Sequence, residues 1–265
     1  METGRNFYGG AKQLQYLLEG LGSYQNVENE LVCPSDSAIL KECRHVVDKC
    51  HPVTFRGDLD IIFLFGLVQL LRDRSPDIVH VHSRRGADIW GGLAAKMCAI
   101  KSVISRRVDN PEPRAIVKYK YKMYDRIITI SRGIGDVLIN KGVPEEKVRC
   151  VPSAVKGEYY QGECESNWFA NEFDMPIYAK PVGMIAQFIP RKGHECLIRA
   201  MPSILRECPE ARFLLLGTGK LYASCLEQIK NMGLEYAVSM PGFRQDLERI
   251  LPCLNLVVHP ALMEG

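Results

Sequence analysis

The chain has 265 residues, of which 46% are hydrophobic and 25% are charged, and this composition is ordinary for a globular protein. Its 34 Lys and Arg residues nearly balance its 31 Asp and Glu residues, so the net charge of +3 gives no reason to expect a nucleic-acid partner. The longest apolar run, residues 61–71, is shorter than the roughly 20 residues that a membrane span needs.

The ten cysteines are scattered along the chain, and no two of them have Cys-x-x-Cys spacing. The first ten residues lack the apolar core of a secretory signal peptide. We therefore expect a cytoplasmic protein whose cysteines are reduced thiols.

Helical and strand patterns alternate through the first 151 residues. Apolar residues at helical spacing predict a helix over residues 11–21, and the mostly apolar segment 58–73 predicts a packed helix. The elements predicted next are a strand at 77–82, a helix at 86–99, a strand at 102–105, a helix at 114–125, a strand at 126–130, a helix at 134–141 and a strand at 148–151.

The alternating pattern stops between residues 152 and 180 and then resumes. We place a linker at residues 159–180, between an N-terminal domain of residues 1–158 and a C-terminal domain of residues 181–265. The C-terminal domain is predicted to contain strands at 182–186, 212–216, 237–240 and 254–259 and helices at 194–207, 220–232 and 246–251. Strands that alternate with helices predict parallel sheets, so the fold class is α/β with two doubly wound, Rossmann-like domains.

Glycine, serine, histidine, arginine or lysine follows eight of the predicted strands. Ligands of open parallel sheets bind beyond the carboxyl ends of the strands, so these residues are candidates for a binding site. The segments are 82–85, 106–107, 131–133, 153, 187–193, 217–219, 241–244 and 259–265.

The sequence Lys192-Gly193 stands directly before the helix predicted at residue 194. Backbone N–H groups at a helix start, with a lysine beside them, form a site for an anion such as phosphate. A turn with a helix cap is the alternative explanation. Gly217 and Gly219 precede the next helix in the same way but lack the full G-x-G-x-x-G series.

Several of these segments resemble glycosyltransferase family four, whose members have the GT-B fold of two Rossmann-like domains facing across a cleft. The resemblance rests on VGMIAQFIPRKGHE, FLLLGTGK, PGFRQDL and HPALMEG in the C-terminal half. In the N-terminal half it rests on FYGGAKQLQYLLEGL, DIVHVHSRRGADIWGGLAA and YDRIITISRGIGDVLINKGVPEEKVRCVPSAV.

The resemblance implies transfer of a sugar from a nucleotide diphosphate sugar, with retention of anomeric configuration and without an obligatory metal or other cofactor. The expected partners are that donor and an acceptor such as a lipid-linked or polysaccharide glycan. A peripheral membrane contact through the basic helix at 114–125 is an alternative to a solvated, partly packed helix.

On the donor side, the resemblance assigns the diphosphate to Lys192 and Gly193, with Arg191 as a second contact. Gln187 stands where the family usually has arginine. The nucleobase is expected beside Phe243 and Arg244, and Gly217 and Gly219 complete the donor loops.

On the acceptor side, Gly9 and Gly10 are expected to approach the sugar and phosphates, and His82 is expected in the cleft. His82 and His80 can instead be satisfied core residues. Arg84 and Arg106 are candidates for an acidic acceptor, with solvated loops as the alternative. Glu264 matches the first glutamate of the family's E-x(7)-E motif, which faces the transferred sugar.

The chain departs from the family pattern at both ends, because only METGRNFY precedes Gly9 and only Gly265 follows Glu264. We therefore expect a truncated glycosyltransferase whose C-terminal domain is incomplete. A nucleotide-sugar binding or scaffold protein without catalysis and a nucleotide-sugar epimerase are the alternatives.

Overall fold

The computed structural model describes residues 1–7, 9–82, 86–108 and 112–262. The chain divides into two compact units, of which the first covers Met1–Ala154 and the second begins at Val155. Among the described residues, no helix combines the length and the apolar character that crossing a bilayer requires.

In the first unit, parallel strands alternate with helices. The elements are α1 (Gly9–Leu21), β1 (Glu30–Pro34), α2 (Ala38–Cys43), β2 (Lys49–Val53), α3 (Ile61–Arg74), β3 (Ile78–Val81), α4 (Ala87–Met97), β4 (Lys101–Arg106), α5 (Arg114–Lys122), β5 (Arg126–Thr129), α6 (Arg132–Ile139) and β6 (Val148–Cys150). One sheet has the order β1-β2 and the other has the order β3-β4-β5-β6. The sequence predicted neither β1, β2 nor α2, because both strands are short and contain proline.

The first two residues, in the short segment before Gly9, connect β1 to β3 through backbone hydrogen bonds. The N–H of Glu2 donates to the carbonyl of Val32 in β1, and the N–H of His82 donates to the carbonyl of Met1, both at 3.0 Å. Residues 1–2 therefore lie between β1 and β3. The chain runs from this segment to β1 and β2 on one side and to β3–β6 on the other.

The helix α3 begins later than predicted and is packed on one face only. Asp60 caps its start, since one carboxylate oxygen accepts from the N–H of Phe63 at 3.1 Å. The buried face consists of Phe63, Leu64, Leu67, Val68 and Leu71. The sequence predicted a packed helix, but the opposite face of its first turns is exposed.

A buried network of charges fixes α5 to the core of the first unit. The Lys120 ammonium pairs with Asp88 at 2.8 Å and also with Glu112. Glu112 in turn accepts from Arg106, whose guanidinium donates to the Tyr121 hydroxyl at 2.7 Å. Burial would lower the pKa of Lys120, but Tyr121, Asp88 and Glu112 raise it above its usual value. Lys120 is therefore a charged core residue, whereas Lys118 on the same helix is exposed.

Removing this central cation takes away the cationic partner of the buried Asp88 carboxylate and leaves Glu112 with Arg106 as its cationic partner. We expect Lys120→Ala to lower the free energy of unfolding of the first unit by about 3–5 kcal/mol. Lys118→Ala, on the exposed face, is expected to change it by less than about 0.5 kcal/mol. The two tryptophans, Trp90 and Trp168, lie in different units. Urea unfolding followed by Trp90 fluorescence, in a Trp168→Phe background, measures the free energy of unfolding of the first unit in both variants. Equal values for the two variants would contradict the structural role of the network.

The second unit contains one four-stranded parallel sheet with the order β10-β7-β8-β9. Its elements are α7 (Ser166–Phe173), β7 (Lys180–Ile185), α8 (His194–Glu207), β8 (Ala211–Leu216), α9 (Tyr222–Asn231), β9 (Val238–Gly242), α10 (Leu247–Ile250) and β10 (Leu256–Val257). The predicted bounds of α8 are confirmed, but β10 has two residues instead of six. The sequence did not predict α7, which packs through Phe169 and Phe173.

A disulfide joins Cys164, before α7, to Cys253, and their Cα atoms are 4.7 Å apart. The expectation that every cysteine is reduced is therefore wrong for this pair, and the other eight cysteines are free thiols. Spacing along the chain gives no signal for this bond, because the two residues are 89 positions apart.

Candidate functional site

The strand order of the second unit reverses beside β7. The chain goes from β7 to β8 and β9 on one side and returns to β10 on the other side. In doubly wound sheets the ligand crevice opens at such a reversal, beyond the carboxyl ends of the strands. The loop after β7 and the segment after β10 meet there, since the N–H of Leu262 donates to the carbonyl of Arg191 at 2.8 Å.

Three predicted glycines are required because backbones approach each other at this edge. Gly193 has φ +79°, and a Cβ on it would lie 2.0 Å from the carbonyl oxygen of Pro260. A Cβ on Gly217 would lie 2.1 Å from the carbonyl oxygen of Ala186. A Cβ on Gly219 would lie 2.5 Å from the carbonyl oxygen of Phe188. Any side chain at these positions would displace a neighbouring backbone segment.

The helix α8 begins at His194, directly after Lys192 and Gly193, and no described side chain caps it. The first N–H groups of a helix have no partner within the helix and carry part of its positive dipole. Lys192 is half-buried beside them, and Arg191 is exposed. The arrangement predicted from Lys192-Gly193 is therefore present in the second unit.

His194 is a buried residue of this region that the sequence analysis did not assign. Its ring stacks on Phe188 with centroids 4.0 Å apart, and neither ring nitrogen has a hydrogen-bond partner among the described residues. Burial lowers the pKa of His194 to about 4, with smaller contributions from His259 and Lys192. The imidazole is therefore neutral at physiological pH. Its place directly after Lys192-Gly193 was the signal in the sequence.

The other predicted donor residues differ in their exposure and in the contacts that they make within the protein. Gln187 is exposed, and so is Phe243, at 68%. The Arg244 guanidinium donates to Asp246 at 2.7 and 2.9 Å and also pairs with Glu172 of α7. These carboxylates raise the pKa of Arg244 above its usual value. Arg244 therefore ties its loop to α7, and Phe243 next to it faces solvent.

In the first unit, the start of α1 and the ends of β3 and β4 come together. A Cβ on Gly10 would lie 3.6 Å from the Arg107 Cδ, so Arg107 lies against the first turn of α1. An Arg107 Nη2 donates to the His82 Nδ1 at 3.4 Å. Gly9 and Gly10 lie at the helix start, where a Cβ on Gly9 would meet nothing within 4 Å.

His82 is buried and His80 is half-buried beside it, and both imidazoles are neutral. Their ring centroids are 3.9 Å apart, and the His80 Nε2 lies 2.9 Å from the Ser105 hydroxyl. Burial, reinforced by His80 and Arg107, holds the pKa of His82 well below its usual value. An arginine can only donate, so the His82 Nδ1 accepts and its Nε2 carries the proton. In this arrangement His82 is a hydrogen-bond donor.

The two adjacent arginines at the end of β4 have different surroundings. Arg106, a predicted acceptor-side residue, is buried and paired with Glu112 and Tyr121. Arg107 lies beside His82 and Gly10, and its Nε is buried without a partner in the described structure. The predicted residues Arg84 and Glu264 lie outside the described residues. No cluster of three or more candidate metal ligands occurs within the described ranges.

Family models match both units of the chain. The model described as Glycosyltransferase Family 4 matches residues 8–158, and the model described as Glycosyl transferases group 1 matches residues 179–265. The chain belongs to glycosyltransferase family 4. The family resemblance inferred from the sequence motifs is thus confirmed.

Two curated relatives are glycosyltransferases. The UDP-Gal:alpha-D-GlcNAc-diphosphoundecaprenol alpha-1,3-galactosyltransferase of Escherichia coli is 23% identical over 227 residues, which are 78% of this chain and 57% of that protein. The GDP-mannose-dependent monoacylated alpha-(1-6)-phosphatidylinositol monomannoside mannosyltransferase of Corynebacterium glutamicum is 32% identical over 89 residues, 30% of this chain and 21% of that protein. The family member described here thus spans little more than half of the first relative.

A solved structure has the same fold. The crystal structure of Anabaena Alr3699/HepE in complex with UDP superposes with a TM-score of 0.81 at 17% identity, over 98% of this chain and 72% of that chain. The predicted α/β class and GT-B fold are confirmed.

The close contact at Gly193 predicts a measurable cost for any side chain there. Gly193→Ala places a methyl group against the Pro260 backbone, whereas Gly233, also at positive φ, has nothing within 4 Å of its Cβ position. Both variants incur the strain of positive φ, so the difference reports the collision alone. We expect Gly193→Ala to destabilise the second unit by about 1–3 kcal/mol more than Gly233→Ala. Denaturant unfolding followed by Trp168 fluorescence in a Trp90→Phe background measures this, and equal costs would refute the contact.

Proposed function

We propose that this chain acts as a nucleotide-sugar-dependent glycosyltransferase with a lipid-linked glycan as acceptor, and that it retains the anomeric configuration of the sugar. The observation that carries the proposal is Lys192 beside the start of α8, at the strand-order reversal of the second unit. The family membership of both matched regions supports it.

The proposed donor site binds the diphosphate of a nucleoside diphosphate sugar. Lys192 and the first N–H groups of α8 contact the phosphates, and Arg191 contributes a second cation. Gly193, Gly217 and Gly219 keep the surrounding loops packed. The exposed Phe243 ring is available to stack on the nucleobase, while Arg244 holds its loop in place.

In the proposed reaction, an acceptor hydroxyl oxygen forms a bond to the anomeric carbon of the sugar. The bond between that carbon and the diphosphate oxygen breaks, and the acceptor's proton leaves with the departing diphosphate. Negative charge develops on the leaving oxygen, which is where Lys192 and the helix dipole stabilise it. Glu264 remains the residue that the family motif assigns to the face of the sugar.

The proposed acceptor side uses the first unit. The His82 Nε2–H donates to a substrate oxygen, and Gly9 and Gly10 leave room at the start of α1. Both curated relatives have names that specify a lipid-bearing acceptor, a diphosphoundecaprenol or a phosphatidylinositol. We propose the same acceptor class here.

The role of Lys192 predicts a loss of nucleotide affinity when its charge is removed. One charge-assisted contact contributes about 1.5–3 kcal/mol, so Lys192→Ala should weaken binding of UDP or GDP about ten- to a hundredfold. Lys230→Ala, on an exposed position of α9, is the matched control and should bind as the unaltered chain does. Calorimetry with both nucleotides measures the affinities. Equal affinity of the two variants would remove Lys192 from the site.

A site built from lysine and a helix start should not depend on a divalent metal. We expect UDP or GDP to bind with the same affinity in the presence of EDTA as with added magnesium or manganese. Loss of binding in EDTA, with recovery on adding either metal, would contradict the proposed arrangement.

Transfer itself separates catalysis from simple nucleotide-sugar binding, which is the alternative function. With a sugar donor and a prenyl-diphosphate glycan, we expect release of nucleoside diphosphate together with a lengthened glycan. Tight binding of the donor, without product in the presence of acceptor, would favour the binding or scaffold role.

A further inference from the structure

The start of α3 carries an exposed apolar patch that packing within the first unit does not explain. It consists of Leu59, Ile61, Ile62 and Phe65, which we call the α3 patch. These side chains are exposed by 92, 55, 67 and 60%, respectively. Large exposed apolar side chains scattered singly are ordinary, but four within seven residues form a contiguous surface of the kind that marks an interaction site.

The local fold does not depend on these four side chains. The Asp60 carboxylate fixes the helix start by accepting from the N–H groups of Phe63 and Arg56. The core is contacted by the opposite face of the helix, which is buried. Polar substitutions in the patch therefore leave the capping and the packing of α3 intact.

The patch lies at the edge of the sheet that carries the candidate acceptor site. Helices that connect parallel strands start at the carboxyl ends of those strands, so α3 and α4 both begin at this edge. Direct contacts agree with this, because the Trp90 indole N–H donates to the Asp58 carbonyl at 3.0 Å. In addition, a Cβ on Gly86 would lie 2.5 Å from the Asp58 Cα. The residue before the α3 patch, Asp58, thus lies against Gly86 and the first turn of α4.

The two units of the chain differ in net charge. Residues 1–154 contain 23 Lys and Arg and 18 Asp and Glu residues, a net charge of +5, whereas residues 155–265 have a net charge of −2. The unit with the α3 patch is therefore the unit that an anionic surface attracts. Anionic membrane surfaces attract basic segments over about one Debye length, and apolar side chains that enter the interface then hold the protein there.

The basic helix that the sequence offered as a membrane contact is poorly suited to that role. In α5, Lys120 and Tyr121 are buried, and Lys120 is bound to Asp88 and Glu112. Only Ile116 and Tyr119 are large apolar residues exposed on this helix.

We propose that the α3 patch inserts into the headgroup region of an anionic lipid bilayer and so brings the first unit to a lipid-linked acceptor. The proposal rests on the proposed function in one respect, the lipid-linked acceptor. A second copy of the chain is a weaker fit, since a stable dimer interface needs about 800 Å² and roughly 20–30 residues on each side.

The test is co-sedimentation of the full chain with lipid vesicles. We expect binding to vesicles of phosphatidylcholine and phosphatidylglycerol, weaker binding to phosphatidylcholine alone, and partial release by salt. The double variant Ile62→Gln, Phe65→Gln should bind the mixed vesicles at least about tenfold more weakly. Its matched control is Ile177→Gln, Tyr178→Gln in the second unit, whose side chains are exposed by 62 and 68%.

Four outcomes would overturn the proposal. The first is that the unaltered chain does not sediment with either vesicle, and the second is that the Ile62 and Phe65 variant binds as well as the control. Loss of binding in Ile116→Gln, Tyr119→Gln, with the α3 variant unaffected, would assign the membrane contact to α5. A dimer in light scattering without lipid that the α3 variant abolishes would assign the patch to a second copy.

Nucleotide affinity, measured on the same variants, keeps this inference separate from the proposed function. The α3 variant should bind UDP or GDP as the unaltered chain does, because the donor site lies in the other unit. Vesicle binding without any nucleotide binding would support the α3 patch and refute the proposed donor site. Nucleotide binding without vesicle binding would support the proposed donor site and refute the role of the α3 patch.

Discussion

Both candidate sites depend on the reversal of strand order in a parallel sheet. In the second unit β7 pairs with β8 on one side and with β10 on the other, so the strand order reverses beside β7. In the first unit residues 1–2 have the same position between β1 and β3. In doubly wound sheets a ligand crevice opens beyond the carboxyl ends of the strands at such a reversal. Lys192 follows β7 at one reversal, and His82 follows β3 at the other.

The glycines at these edges are required by the close packing of the protein's own backbone, and not only by the approach of a ligand. Loops from neighbouring strands must pass close to one another where the sheet ends, and Gly193, Gly217 and Gly219 lie where carbonyl groups approach them. The loops fix each other in this way before any phosphate binds. A binding site that is already packed loses less conformational entropy when its ligand arrives.

The sequence predicted the elements with strong periodicity and the positions at strand ends. It predicted α8 with its bounds and placed Lys192-Gly193 directly before that helix. It failed where tertiary contacts decide the structure: β1 and β2 are short strands held by each other, and α7 is held by Phe169, Phe173 and the disulfide. The exposed face of α3 could not be predicted either, because the type of an apolar residue does not show whether another part of the protein covers its side chain.

Arg106 and Arg107 show most clearly why site residues need a structure. Successive side chains of a strand point to opposite sides, so two neighbouring arginines at the end of β4 enter different surroundings. Arg106 enters the core, where Glu112 and Tyr121 pair with it, and burial without such partners would be costly. Arg107 reaches the start of α1 and donates to His82, which sets the proton of that imidazole on Nε2. The sequence shows two identical charges, but the register of β4 makes one of them part of the fold and places the other beside His82 in the candidate site.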